Sequence, residues 1–386
     1  MTSDFIAQVY KPFPFTVSRA KGVHVWDTTG KEYIDTFAGI GVLALGHSNV
    51  DVTKAIKNKL DNYTHLSNFF FDPDANDVAK SLVEKSGRNG KVYFGNSGTE
   101  SNEAAIKAVK KRNGKILSFN GNFHGRTIGS LSITGFERLR KPFGSLLGEV
   151  VFLPFSDPQA FKEFMNINGE NISAVFLETT LGSGGLKVIT EEFADSIMEY
   201  KERFNFTLVI DEVQAGLGRT GKFYSYQHFK KLKPDIITTA KALGGGLPLS
   251  ATIFLDDYSN TFSVGEHGST FAPNPVALAA AKVVLSNLTE EFMNDVEQKG
   301  RYFREKLDES SDERFKEVRG MGLMIGVELN ERNIEDWILD AGLKNGLLLN
   351  VVGGNTVRFL PALNITYDEI DKIVIKFKKI MDGFAR

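Results

Sequence analysis

The stretch Thr207–Gly221 reads TLVIDEVQAGLGRTG, and the fold turns on how its two halves are taken. Leu208, Val209 and Ile210 are an unbroken apolar run, the pattern of a strand covered on both faces. Asp211 and Glu212 close it. Downstream, Gly216–Gly221 matches G-x-G-x-x-G, and with Lys222 it nearly matches G-x-x-x-x-G-K-[ST]. Both phosphate-loop readings fail on context. Phe223 stands where a Mg²⁺-binding hydroxyl is needed, and Asp211, Glu212 and Gln214 separate the strand from the glycines. GKFYSYQHF then forms no amphipathic helix, and Asp235, the acidic residue at the expected distance, opens a strand instead of ending one. What remains is a buried strand ending in a carboxylate. Burying such a charge unpaired is costly, so Asp211 needs a partner, either a cation of the protein or a protonated ring nitrogen of a ligand.

Similar apolar runs recur on both sides: ILSF (116–119), EVVFLPF (149–155), SAVFLE (173–178), DIITTA (235–240) and SATIFL (250–255). Helical patterns such as EEFADSIMEYKERF (191–204) lie between them, which implies an α/β core with a mostly parallel sheet. GVHVWDTTGKEY (22–33) alternates apolar and polar residues about a Thr-Gly turn and predicts a hairpin. Beyond Leu285 a charged helix (290–309), short strands GLMIGVEL (322–329) and VRFLP (357–361), and a closing helix (368–384) suggest a smaller α+β domain. The expected division is an N-terminal segment 1–48 packing with the small domain, a large domain 49–284, and a small domain 285–386.

Composition narrows the chemistry. The 386 residues are 42% hydrophobic and 24% charged with net charge −2, which supplies no basic excess for nucleic acid or an anionic membrane. The basic cluster Lys107–Lys115 reads as a solvated helix end. With 0 cysteines there are no disulfides, thiolate zinc sites, iron–sulfur clusters or thiol catalysis, which fits a reducing cytoplasm. The first residues lack a signal-peptide pattern, no apolar run approaches the roughly 18 residues of a membrane span, and the 6 scattered histidines form no metal motif.

Three further stretches carry chemistry. TTAKALGGGLPLSA (238–251) sets Lys241 between an apolar strand and three glycines; it is either a surface lysine or one whose pKa desolvation lowers. KVYFGNSGTESNEAAIKAVKKR (91–112) runs from strand to helix with Ser97, Gly98 and Thr99 at the helix N-terminus, which is either an ordinary cap or an anion cradle. NGNFHGRT (120–127) follows a strand and offers an aromatic ring, an imidazole and an arginine. One small molecule needs a phosphate cradle, an aromatic face, a carboxylate for a pyridinium nitrogen and a lysine for its aldehyde: pyridoxal 5′-phosphate.

On the motifs GVHVWDTTGKEYIDTFAGIGVLALGH, NSGTESNEAAIK, FHGRTIGSLSITG, VIDEVQAGLGRTGKFYSYQ, TTAKALGGGLPL, HGSTFAPNPVA, RGMGLMIGVEL and VRFLPAL, the chain resembles the class III aminotransferases of PLP fold type I. Within them it is most similar to the acetylornithine aminotransferases. The resemblance implies that Lys241 holds the cofactor and shuttles the proton, Asp211 pairs with the pyridine nitrogen, and Gln214 approaches the phenolic oxygen. Ser97, Gly98 and Thr99 would hold the phosphate, Phe123 would stack on the ring, and Thr270 would reach the phosphate of a neighbouring subunit in a homodimer. Arg126 and Arg358 would bind substrate carboxylates.

It further implies an arginine-biosynthesis enzyme that moves the terminal amino group of an ω-amino acid, foremost N-acetylornithine, to 2-oxoglutarate, giving the semialdehyde and glutamate. Ornithine, succinylornithine, 4-aminobutyrate and a lysine-pathway amine are alternative donors, and an amino-acid racemase of the same fold is the alternative reaction. The chain departs from the family pattern at three places. Ser183 replaces a gate glutamate that pairs with the arginine matching Arg358, Leu43 replaces an asparagine, and Ala272-Pro273 replaces two glycines. Without the gate, Arg358 is expected to stay open for a carboxylate.

Overall fold

The structure, a computed structural model, describes residues 5–144, 146–309 and 313–384. Its strands are β1 (Val17–Lys21), β2 (His24–Asp27), β3 (Glu32–Asp35), β4 (Gly90–Gly95), β5 (Lys115–Phe119), β6 (Val150–Leu153), β7 (Ile172–Leu177) and β8 (Thr207–Asp211). They continue with β9 (Ile236–Thr239), β10 (Ser250–Leu255), β11 (Phe315–Met321), β12 (Met324–Leu329), β13 (Leu347–Leu348), β14 (Val351–Val352) and β15 (Thr356–Phe359).

Seven strands build the central sheet in the order β4-β10-β9-β8-β7-β5-β6. The β5–β6, β5–β7, β7–β8 and β8–β9 pairs are parallel, whereas β10 runs antiparallel to both β4 and β9. The sheet is mostly parallel, as expected, with the one reversed strand β10. SATIFL reads the same in either direction, because a strand covered on both faces has no polar face to betray its orientation. In β8, Leu208, Val209 and Ile210 are all fully buried, and truncating one of them to alanine would cost about 2–5 kcal/mol.

The predicted hairpin forms from β2 and β3. Asp27 Oδ1 accepts from Thr29 N (2.8 Å) and Lys31 N (3.0 Å), which turns the chain between the strands. β3 then pairs in parallel with β13, tying the N-terminal strands to the C-terminal region. β11, β12, β15 and β14 form a separate antiparallel sheet in that order. Of these, β11 carries too many polar residues to be legible as a strand.

The expected helix 191–204 is present with the same bounds, capped by the Thr190 side chain on Phe193 N. The helix Glu290–Asp308 buries Met293, Val296, Gly300, Phe303 and Leu307, a three-four spacing that lays one apolar stripe against the final helix Tyr367–Asp382. Gly300 is required there, since a Cβ would overlap the backbone of Gly322. The G-x-G-x-x-G stretch serves structure: buried Arg219 donates from Nη1 to the carbonyls of Leu323 (3.1 Å) and Pro361 (2.5 Å), pinning that loop to the C-terminal region.

Candidate active site

Five strands of one direction deliver their carboxyl ends to the same edge of the sheet. β4 leads into Ser97, β5 into Phe123, β7 into Glu178, β8 ends on Asp211, and β9 leads into Lys241. A cavity of about 640 Å³ opens there, at the position where open α/β sheets gather ligands. Ser97, Gly98, Thr99, Phe123, Arg126, Asp211 and Lys241 all line it. Gln214, Ser183, Arg358 and Thr270 do not line it in the single chain.

Asp211 is 2% exposed and held from three sides. Its Oδ2 accepts from Asn102 Nδ2 (2.8 Å) and faces His124 Nδ1 (2.8 Å), and its Oδ1 accepts from Val213 N (2.9 Å). Thr238 Oγ1 fixes Asn102 by donating to its Oδ1 (2.8 Å). Buried His124 leaves Nε2 without a partner among the described residues, so the proton sits on Nδ1 and is donated to Asp211. Glu212 points the opposite way, as successive strand residues must, and accepts from Ser225 N (2.8 Å) and Tyr226 N (2.9 Å). Burial raises its carboxyl to about 7.

Lys241 is the first residue of a short 3₁₀ turn and adopts φ = 45°, a left-handed conformation unusual for a side chain of its size. Among the described residues no hydrogen bond or ion pair holds its ammonium. Burial lowers it to about 8, against the opposing pull of the Asp211 and Glu178 carboxylates. Lys241 therefore faces the cavity and is not a solvated surface lysine. Gly246, with φ = 107°, forms cavity wall where the backbone passes Leu43.

At the start of the helix Gly98–Val109, Ser97 Oγ caps Glu100 N (3.3 Å), so the ordinary capping role is real. The N–H groups of Gly98 and Thr99 find no acceptor among the described residues, which leaves the positive helix end turned to the cavity. Thr99 Oγ1 bonds Ser130 Oγ and lies 3.0 Å from Thr127 Oγ1, so the cradle is braced from the FHGRT loop.

Arg358, on β15, is 3% exposed. It donates from Nε (2.9 Å) and Nη2 (2.7 Å) to Asn350 Oδ1, and from Nη1 to Gly182 O (2.8 Å) and Gln214 Oε1 (3.1 Å). The expectation of an open arginine needs correction: no carboxylate pairs with it among the described residues, yet neutral oxygens take its hydrogens. Ser183 is half-buried beside Gly182. Gln214 faces Arg358 from outside the cavity wall, and Thr270 is exposed. Arg126 is exposed, with its guanidinium 5.5 Å from the Phe123 ring centre.

Residues 5–381 match the family model for class-III aminotransferases. The chain belongs to the class-III aminotransferases. It is 39% identical to the acetylornithine aminotransferase of Aquifex aeolicus, covering 98% of this chain and 100% of the relative. It is also 39% identical to that of Bacillus subtilis, with 96% of each covered. Among solved structures, the N-acetylornithine aminotransferase of Stenotrophomonas maltophilia superposes with TM-score 0.83 at 30% identity over 97% of both chains. The ornithine aminotransferase of Toxoplasma gondii superposes with TM-score 0.91 at 29% identity, covering 98% of this chain and 94% of that one.

As a class-III aminotransferase the chain depends on pyridoxal phosphate. The residues present fit that group: unpartnered N–H donors at a helix end, a buried carboxylate already braced by three donors, and a lysine whose pKa burial lowers share one cavity. Several contributors to this aminotransferase site escaped sequence reasoning, among them Asn102, Asn350, Val213 and Glu178. Val213 lines the cavity and packs so closely on the cradle that a Cβ on Gly98 would come 2.6 Å from its Cγ1. Glu178 accepts from Phe123 N (2.7 Å) and Gly182 N (3.1 Å), joining the Phe123 loop to the loop that Arg358 grips. Burial first, then the Asp211 charge, raises its carboxyl to about 7. The signal available was its place at the end of an apolar strand, shared with Asp211.

Proposed function

We propose that this aminotransferase moves the terminal amino group of N-acetylornithine to 2-oxoglutarate, releasing the semialdehyde and glutamate, as a cytoplasmic homodimer. The observation that carries this reading is Lys241, Asp211 and an unpartnered helix N-terminus lining one cavity, in a chain 39% identical end to end to a relative named for that donor. The expected division at about residues 48 and 284 would draw most of the cavity wall from the large domain, with Tyr10 and Val42 from the N-terminal segment and Arg358 nearby from the small domain.

Pyridoxal phosphate, when bound, supplies an aldehyde that takes up the amino group and a ring that draws electrons from the substrate carbon. The chain's residues divide the remaining work. Ser97, Gly98 and Thr99 hold the phosphate through backbone and hydroxyl donors. Phe123 and Val213 would confine the ring, and Gln214, whose Oε1 accepts from Arg358 Nη1 behind the cavity wall, would approach the phenolic oxygen. Asp211, its carboxylate fixed by Asn102 and His124, would keep a proton on the ring nitrogen. Lys241 Nζ would hold the cofactor's aldehyde group, and its amine would take and return a proton at the substrate carbon that bears nitrogen. Arg126 and Arg358 each take a substrate carboxylate. Thr270, exposed on one chain, would reach the phosphate held by a partner subunit in the proposed homodimer.

A panel of N-acetylornithine, ornithine, succinylornithine, 4-aminobutyrate and lysine-type amines with 2-oxoglutarate, scored by glutamate formed, tests the donor. The highest kcat/KM should fall to N-acetylornithine; a tenfold preference for another amine replaces it. Racemisation of an amino acid without glutamate formation would overturn amino transfer itself.

A further inference from the structure

Arg358 presents an imbalance. A guanidinium buried this deeply ordinarily sits against a carboxylate, because desolvating it alone is costly. Here every hydrogen bond it makes among the described residues ends on an uncharged oxygen: Asn350 Oδ1 twice, Gly182 O and Gln214 Oε1. Glu178 acts on it electrostatically, but its own oxygens are taken by the N–H groups of Phe123 and Gly182. Neutral acceptors orient a guanidinium without cancelling its charge.

The placement of Asn350 is built into the fold. Arg358 N donates to Asn350 O at 2.8 Å, so the backbone sets the two residues opposite each other. The Asn350 side chain then spans Nε and Nη2, the paired donors that a carboxylate would take bidentately. A neutral group therefore occupies the carboxylate edge of a cation that no carboxylate touches among the described residues.

We infer that Asn350 is a specificity-determining positioning residue: a neutral latch that keeps Arg358 oriented and fully charged for the second carboxylate of a dicarboxylate acceptor. The inference rests on the reading that Arg358 receives a substrate carboxylate. An incoming carboxylate replaces one amide oxygen on Nε and Nη2, and no ion pair has to break. With the uncharged Ser183 next to Gly182, this latch does the orienting work without competing for the charge.

The test uses holoenzyme carrying Asn350→Asp, Asn350→Ala or Arg358→Ala. The readouts are calorimetric Kd for glutarate, an unreactive dicarboxylate, and for pentanoate, together with KM and kcat for 2-oxoglutarate and the amino donor. Asn350→Asp puts a carboxylate on the edge and should raise the glutarate Kd and the 2-oxoglutarate KM by about tenfold or more. Pentanoate Kd and donor KM should stay within about twofold. Asn350→Ala keeps the charge and loses only orientation, so glutarate should weaken by less than about threefold. Equal losses in the Asp and Ala variants, or an unchanged glutarate Kd in Asn350→Asp while Arg358→Ala loses tenfold, overturn the latch. An unchanged glutarate Kd in Arg358→Ala overturns the underlying reading of Arg358 instead. Should Asn350→Asp not fold, a tenfold glutarate loss in Asn350→Ala still refutes the inference.

Discussion

Asp211 Oδ2 stands 2.8 Å from His124 Nδ1, both side chains being buried, while the imidazole's Nε2 has no partner among the described residues. The imidazole therefore serves the carboxylate alone. Asp211→Asn keeps the shape of this network and removes its charge. At saturating cofactor, amino transfer should fall by about 10²–10³-fold, the usual cost of losing a preorganised electrostatic partner. A loss under tenfold would show that Asp211 only braces the loop.

Lys241→Ala should abolish the visible absorbance near roughly 420 nm of the loaded protein and cut turnover by at least about 10²–10⁴-fold. A band that survives the change would move the attachment point elsewhere.

Burial holds the Lys241 ammonium at about 8, below its ordinary 10.5. The free amine, which is the nucleophile, grows as pH rises through that value. Cofactor capture by apoprotein should therefore accelerate from about pH 7 and level off above about pH 9. A rate still climbing at pH 10 would mean an ordinary lysine.

Arg126 is exposed at the cavity mouth and lies over Phe123, so Arg126→Ala should raise KM for carboxylate substrates by a factor worth about 2–3 kcal/mol. The cofactor band should be unchanged. An unaltered KM would make Arg126 structural.

Glu212 carries a prediction about stability. Its folded carboxyl is raised from 4.5 to about 7 by burial, so the folded chain holds a proton there that the unfolded chain releases. The stabilisation is complete below about pH 4.5 and lost as pH rises through about 7, and amounts to roughly 3 kcal/mol. Glu212→Gln should flatten the fall of the urea midpoint between these limits. Glu178, with a similar shift, leaves a residual slope in that variant.

What the sequence by itself determined are the features that local pattern controls. Apolar runs mark strands because only fully covered strands are apolar throughout, and Asp211, Lys241 and the Ser97–Thr99 turn follow such runs directly. Their convergence is already implicit in parallel strands, which present their carboxyl ends on one edge. The tertiary structure decided what depends on neighbours remote in the chain. The reversed direction of β10, the packing of Val213 on Gly98, and the tie from Glu178 to Phe123 have no local signature. The same holds for Arg358. Its type and motif were legible, but whether it stands open or latched depends on a backbone hydrogen bond to Asn350 and on a loop 176 residues away that offers Gly182 O. A buried charge is governed by whatever surrounds it, and only the folded chain supplies those surroundings.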